Sequence, residues 1–185
     1  MQLHWPSLEL LPGCIAALER GWSQDTLRAE VAAREELDCI AKDPAAYVAG
    51  LVDRDAMAGP VTLPDGSTVP RLPGVRRWLW DGEFCGIISL RWQPGTDALP
   101  AYCLGHIGYS VVPWKRRRGY ATMALQQTLP QARAEGLGLV EITTDPTNHA
   151  SQRVIEANGG VLFERFTKPA PYGGGEGLRY RIVLA

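Results

Sequence analysis

Cysteine and histidine are scarce in this chain, with four cysteines (Cys14, Cys39, Cys85 and Cys103) and three histidines among 185 residues. No C-x-x-C pair occurs and no histidine stands at ligand spacing. Neither a zinc site nor a disulfide framework is indicated, no metal ligand is assigned, and a reducing, cytoplasmic location is expected. Long apolar runs are missing too. None approaches the roughly 20 residues that cross a bilayer, and the N-terminus lacks a charged-then-apolar leader pattern, so no membrane partner is expected. Charge of one sign is balanced away: 19 Lys and Arg against 20 Asp and Glu leave a net charge of -1. The single basic cluster, at 115–118, is local and has no aromatic-basic interleaving around it, which argues against a nucleic-acid partner.

What is present suits a globular α/β chain, with hydrophobic residues at 45% and charged residues at 21%. The length supports one full core, and a single domain over 1–185 is expected. Residues 1–5 read as a short first strand ended by Pro6. Helical apolar spacing follows over 8–20 and 26–40, with Asp25 or Ser23 as cap for the second helix and Pro44 opening a further turn over 43–52. Residues 58–74 are rich in proline and glycine and read as a long loop with a tight turn at Asp65-Gly66. Asp81-Gly82 joins strands at 76–80 and 84–92 as a hairpin. Residues 93–101 form another loop, and strands are expected at 104–112 and 137–144. A helix over 121–135 joins those two, so they are expected to run parallel. Pro130 falls inside that helix and predicts a kink or a bend near Thr128. Asn148 caps a last helix running to Ala157, Asn158-Gly159-Gly160 ends it, and strands at 161–166 and 178–184 close the chain.

The most informative stretch is Arg116-Arg117-Arg118-Gly119-Tyr120-Ala121, set between a strand and a helix start. At such a start several backbone N–H groups lack intrahelical partners and the macrodipole adds partial positive charge, so an anion is stabilised there. Gly119 allows close approach of the backbone, Ala121 keeps the first turn uncrowded, and Lys115 with the three arginines supplies charge for phosphate oxygens.

The spacing Arg-x-x-Gly-x-Ala resembles the acetyl-CoA signature of the GNAT (GCN5-related) N-acetyltransferases. Val111-Val112-Pro113 stand at the family's usual offset, and Asn148-x-x-Ser151 followed by 154–160 looks like its closing helix. The resemblance covers roughly 75–165. It implies a single mixed β-sheet with helices on both faces and splayed central parallel strands. It also implies acetyl-CoA as cosubstrate and transfer to a primary amine of a small molecule or peptide by direct attack in a ternary complex. A homodimer stays open. Cofactor contacts are then expected from Tyr109, Ser110 and Val111 on the strand, from Arg116, Arg117, Arg118, Gly119, Tyr120 and Ala121 in the cradle, and from Asn148 and Ser151.

Where many members of that family carry a tyrosine on the closing helix, this chain has Ile155, which cannot donate. Ser151, one turn earlier, is the candidate donor to the departing thiolate. His106 is the candidate base, with Glu141 and Glu83 as alternatives. Cys103 has no His–acid partner pattern and is not read as a nucleophile. Loss of the tyrosine also admits a non-catalytic acyl-CoA-binding or sensory module. The acceptor pocket is expected from the N-terminal helices and the loops 58–74 and 93–101.

Overall fold

The computed structural model describes residues 1–185 apart from Thr26, Pro64 and Ala185. In chain order the elements are β1 (Gln2–His4), α1 (Leu11–Glu19), α2 (Ala29–Lys42), α3 (Pro44–Gly50), β2 (Val52–Asp53), β3 (Val61–Thr62), β4 (Thr68–Val69), β5 (Gly74–Trp80), β6 (Phe84–Arg91) and β7 (Ile107–Val111), followed by α4 (Tyr120–Ala134), β8 (Leu139–Thr144), α5 (His149–Glu156), β9 (Val161–Thr167) and β10 (Glu176–Val183).

Local chemistry explains most boundaries. Pro12 and Pro44 sit in the first turns of α1 and α3, where a missing N–H costs nothing. Asp43 caps α3 by accepting the Ala46 N–H at 2.9 Å. The expected start of α2, Thr26, lies outside the described residues. Asp25 still closes the approach to that helix, accepting the N–H groups of Leu27 and Arg28 at 2.9 and 3.0 Å. Helix α4 continues through Pro130 to Ala134. The loop 58–74, whose Pro64 is not described, contains the small β3–β4 hairpin. There Asp65 accepts from both the N–H and the hydroxyl of Ser67 at 3.0 and 2.6 Å.

The sheet arrangement corrects the expectation of a single mixed sheet with parallel central strands. One sheet has the order β1-β5-β6-β7 with β2 added to β5, another the order β8-β10-β9, and every described ladder is antiparallel. Strands β7 and β8 form no ladder. They touch just before β7, where the His106 N–H donates to Glu141 O at 2.7 Å and the Glu141 N–H donates to His106 Nδ1 at 2.9 Å. The imidazole takes the donor that the next ladder bond would need, so pairing stops after one contact. Gly105 permits this approach, since a Cβ there would lie 3.0 Å from Glu141 O.

Strand alternation gives the larger sheet two buried faces. Val75, Leu79, Ile88 and Leu90 pack with Ala124, Leu125 and Ala132 of α4 and with Ile155 of α5. Trp78, Phe84 and Ile87 face the other way, against Leu11, Cys14 and Leu18 of α1 and Ala33 and Ile40 of α2. Helices therefore cover both faces of this sheet, as expected. Trp78 on one face and Leu79 and Ile155 on the other are fully buried.

Candidate active site

The turn before α4 has the backbone features of an anion site. Arg117 and Gly119 both have left-handed backbones, with φ of 62° and 74°. For arginine this costs roughly 1–2 kcal/mol, a strain of the kind that collects at functional turns. Gly119 is the N-cap and no side chain caps the helix. The first backbone bond comes from the Met123 N–H to Gly119 O at 3.0 Å, so the N–H groups of the preceding turn have no intrahelical acceptor. A Cβ on Gly119 would meet nothing within 4 Å, which leaves open space above those donors. Dipole, donors and room together fit a pyrophosphate.

The basic side chains divide their work. Lys115 is not free for phosphate as expected, because its ammonium bonds Asp81 and Glu83, each at 2.9 Å. The Tyr120 hydroxyl donates to the same Asp81 carboxylate at 2.6 Å. Those bonds hold the Asp81 carboxyl well below the usual carboxylate range, with the Tyr120 contact the largest cause. Asp81, in the hairpin turn between β5 and β6, thus braces both ends of the cradle. Arg116 donates from Nε to Val111 O at 3.2 Å, and Arg118 lies 3.8 Å from Asp81 with half its side chain exposed. Asn158 ties the cradle to α5 through bonds to Thr122 O and Val154 O at 3.2 and 2.8 Å.

Beyond the His106–Glu141 contact a cleft of about 230 Å³ opens between β7 and β8, lined by Gly108, Tyr109, Thr143, Asn148, Ser151 and Lys168 among others. Strand β7 is the edge of its sheet. Arg91 N–H bonds His106 O and Val112 N–H bonds Cys85 O, so the alternating pattern pairs Gly108 and Ser110 with β6 and turns the backbone groups of Ile107, Tyr109 and Val111 away from it. Of the three strand residues expected to meet cofactor, Tyr109 therefore offers its N–H and C=O and Val111 its N–H, the Val111 carbonyl already accepting from Arg116. Ser110 does not: its backbone serves the ladder, and its hydroxyl accepts from Trp22 Nε1 at 3.3 Å on the α1 side.

Asn148 acts as the cap expected of it, its Oδ1 accepting the Ser151 N–H at 3.1 Å. Ser151 Oγ then lies 2.8 Å from the Tyr109 hydroxyl, which also donates to Ser151 O at 3.3 Å. Burial pushes the Tyr109 phenol up to about 12, so it stays a proton donor throughout the neutral range. The side chain of Tyr109 thus brings to the cleft a hydroxyl that was not among the candidate donors named from the sequence. Its signal was an aromatic hydroxyl on the cleft strand of a chain whose closing helix lacks one. Ile155 itself is fully buried in the core.

The three candidate bases lie elsewhere. His106 is fully buried and lines neither this cleft nor the cavity described next. Burial lowers its pKa below the ordinary histidine value, and its Nδ1 is an acceptor for Glu141 N–H. The structure thus makes it a strand-joining residue. Glu141 bonds Arg181 at 2.8 Å, and Glu83 bonds Lys115 at the cradle.

A second cavity, about 520 Å³, adjoins the cleft next to the His106–Glu141 contact and is lined by α3, the β3–β4 loop, β5, β6, residues 102–105 and Tyr172. Of the segments expected to form the acceptor pocket, the loop 58–74 lines this cavity, the helices reach it, among the described residues, only at Gly50 of α3, and no residue of 93–101 is in its lining. The two spaces share Ile107, Gly108 and Thr143. Tyr172 is held over the cavity by donating its hydroxyl to Tyr102 O.

Comparison with known proteins gives the family. The Acetyltransferase (GNAT) domain model matches residues 68–161, half of the chain, and the chain belongs to the GNAT acetyltransferase family. The microcin C7 self-immunity acetyltransferase MccE, solved with acetyl-CoA and AMP, is 12% identical and aligns over 98% of this chain and 91% of its own at a TM-score of 0.64. RimL, the ribosomal L7/L12 alpha-N-protein acetyltransferase, solved with coenzyme A, is 13% identical over 98% of this chain and 93% of its own, also at 0.64. At those identities they show the fold. A GNAT-family acetyltransferase from Bacillus anthracis is 25% identical, but the alignment covers 58% of this chain and 65% of that one at a TM-score of 0.49. This chain thus spans less than two thirds of that relative's length. No curated protein matches this chain by sequence.

Proposed function

We propose that residues 1–185 act as one acetyltransferase domain that moves the acetyl group of acetyl-CoA to a primary amine by direct attack in a ternary complex. The observation that carries this is the junction at Ile107, Gly108 and Thr143, where the cleft between β7 and β8 meets the larger cavity. The cradle turn would bind the pyrophosphate with its backbone N–H groups, Arg116 and Arg117. Strands β7 and β8, joined among the described residues by the hydrogen bonds of His106 and Glu141, would separate to admit the pantetheine arm. Backbone groups of Tyr109 and Val111 would bond that arm, and a β7 N–H would polarise the thioester carbonyl. The amine nitrogen forms a bond to the carbonyl carbon as the C–S bond breaks. The thiolate takes a hydrogen bond from the Tyr109–Ser151 hydroxyl pair, and the amine's proton leaves to solvent in the cavity.

A small-molecule or peptide amine suits the cavity, and a cytoplasmic location accords with the four free cysteines. No helix among the described residues is long and apolar enough to cross a membrane. The reading that keeps only acyl-CoA binding is favoured by Ile155, and Tyr109 answers it by supplying a hydroxyl from the opposite wall. The test is a screen of amines for thiol release from acetyl-CoA, alongside calorimetry of acetyl-CoA. Binding together with turnover is expected; saturable binding with no turnover of any amine class would instead favour the sensory module.

A further inference from the structure

The charges in the 520 Å³ cavity do not cancel. Its lining holds Arg71, Arg76 and Arg91, and among the described residues its only acid is Asp53. Asp53 accepts the Met57 and Ala58 N–H groups at 2.8 and 3.0 Å and lies 3.8 Å from Arg71, which also donates to Gly59 O at 2.8 Å. Arg76 lies 3.4 Å from Glu36 and 3.3 Å from Ser89 Oγ. Arg91, at the end of β6, has neither an ion pair nor a side-chain hydrogen bond among the described residues. One of its guanidinium nitrogens lies 3.6 Å from the point where a Cβ on Gly108 would stand. Gly108 belongs to the junction of the two spaces, so this uncompensated fork sits beside the place where the acceptor amine must be.

We infer that Arg91 selects acceptors carrying an anionic group close to the amine, a carboxylate or a phosphate at the spacing of an amino acid or an aminoalkyl phosphate. The inference rests on the acetyl transfer proposed above and narrows its substrate class. A guanidinium offers paired donors that match either oxyanion, and a partly enclosed cation without a counter-charge gains most from one. Its positive charge also disfavours the ammonium form of a neighbouring amine, and so favours the free base that attacks. The α-amine of a peptide, whose carboxylate is replaced by an amide, would lose this contact.

Two measurements test it. Thiol release is followed with paired acceptors: glycine, alanine and serine against their α-carboxamides, and O-phosphoethanolamine against ethanolamine. The anionic member of at least one pair should be favoured in kcat/KM by about tenfold to a hundredfold, the range of a charge-assisted contact. That advantage should collapse in Arg91→Gln. The pair that shows it separates carboxylate from phosphate. Independently of turnover, the Arg91 Nε–H resonance of the CoA-saturated wild-type protein, assigned by its loss in Arg91→Gln, should shift on adding N-acetylglycine or O-phosphoethanolamine and stay still with N-acetylglycinamide. Carboxamides acetylated as well as acids, or an Arg91 resonance unmoved by both anions, would overturn the inference while leaving acetyl transfer standing. Failure of acetyl-CoA to bind in calorimetry would defeat the underlying reading instead.

Discussion

Replacing Tyr109 by phenylalanine removes one oxygen and keeps the ring that packs against the core. In the resting protein that oxygen lies 2.8 Å from Ser151 Oγ and 3.3 Å from Ser151 O, so its loss should cost about 1 kcal/mol of stability as an ordinary neutral hydrogen bond. In the proposed reaction the same hydroxyl faces a sulfur that gains charge. A hydrogen bond to a charged group is worth about 1.5–3 kcal/mol, which predicts a fall in turnover of roughly 10- to 150-fold. A thiolate leaves well unaided near neutral pH, which favours the lower part of that range. The assay is single-turnover thiol release at saturating acetyl-CoA, with calorimetry and thermal unfolding run in parallel. Turnover should fall much further than acetyl-CoA affinity, because the contact strengthens only as the C–S bond breaks. Unchanged single-turnover rates, or a fall in rate matched by an equal fall in affinity, would refute the assignment. The phenol, pushed up to about 12 by burial, should give no high-pH limb below pH 10. Because its pKa is raised on folding, its contribution to stability is full below the ordinary tyrosine pKa of about 10 and is lost as pH rises through the folded value.

Ser151→Ala leaves Tyr109 in place and should lower turnover less than Tyr109→Phe does, a comparison read in the same assay. At the cradle, Gly119→Ala should cost about 1–2 kcal/mol in thermal unfolding through its φ of 74°. Gly119→Glu should abolish CoA binding in calorimetry, since its side chain enters the open space over the N–H groups and repels phosphate. Arg116→Ala should weaken acetyl-CoA by about tenfold or more, with a smaller salt dependence than wild type. His106 is buried with a lowered pKa. Its neutral form therefore supports the fold above the ordinary value of about 6.5, and that support is lost as pH falls through the folded value. Acid unfolding should become less steep in His106→Gln, while the pH limb of kcat/KM for one fixed acceptor stays where it was.

The cradle was legible because it is local: a basic turn, a glycine and a helix start are contiguous, and backbone chemistry alone predicts what they do. The cap at Asn148 and the helix opening at Pro44 were legible for the same reason. The relation between β7 and β8 was not. A strand-helix-strand pattern argues for parallel pairing, yet one imidazole bonded to the Glu141 N–H is enough to end the ladder, and nothing in the local sequence around His106 says which backbone it will meet. Alternation along β7 puts residues 107, 109 and 111 on one face and 108 and 110 on the other. It did not reveal that Ser110 belongs to the α1 side, because that depends on which residues β6 pairs. The charge of the acceptor cavity was also hidden. Arg71, Arg76 and Arg91 are ordinary residues of three separate segments, and only the tertiary pairing of the first two with Asp53 and Glu36 singles out the third.

Ile155 and Tyr109 are best understood as two parts of one arrangement. After α5 the chain turns back so tightly that a Cβ on Gly160 would come within 2.3 Å of Ile155 Cγ2. Position 155 is fully buried, and a tyrosine there would have to displace the closing turn or the core of α4. The hydroxyl comes instead from the opposite wall of the cleft. Asn148 caps α5 by holding the Ser151 N–H, and Ser151 in turn holds the Tyr109 oxygen. The helix cap therefore sets the position of the proposed donor through two successive hydrogen bonds. Introducing Ile155→Tyr into Tyr109→Phe should then lower stability by about 1–3 kcal/mol through overpacking without restoring turnover. Recovery of turnover in that double variant would show that the closing helix can still present its own donor, and that Tyr109 is a packing residue after all.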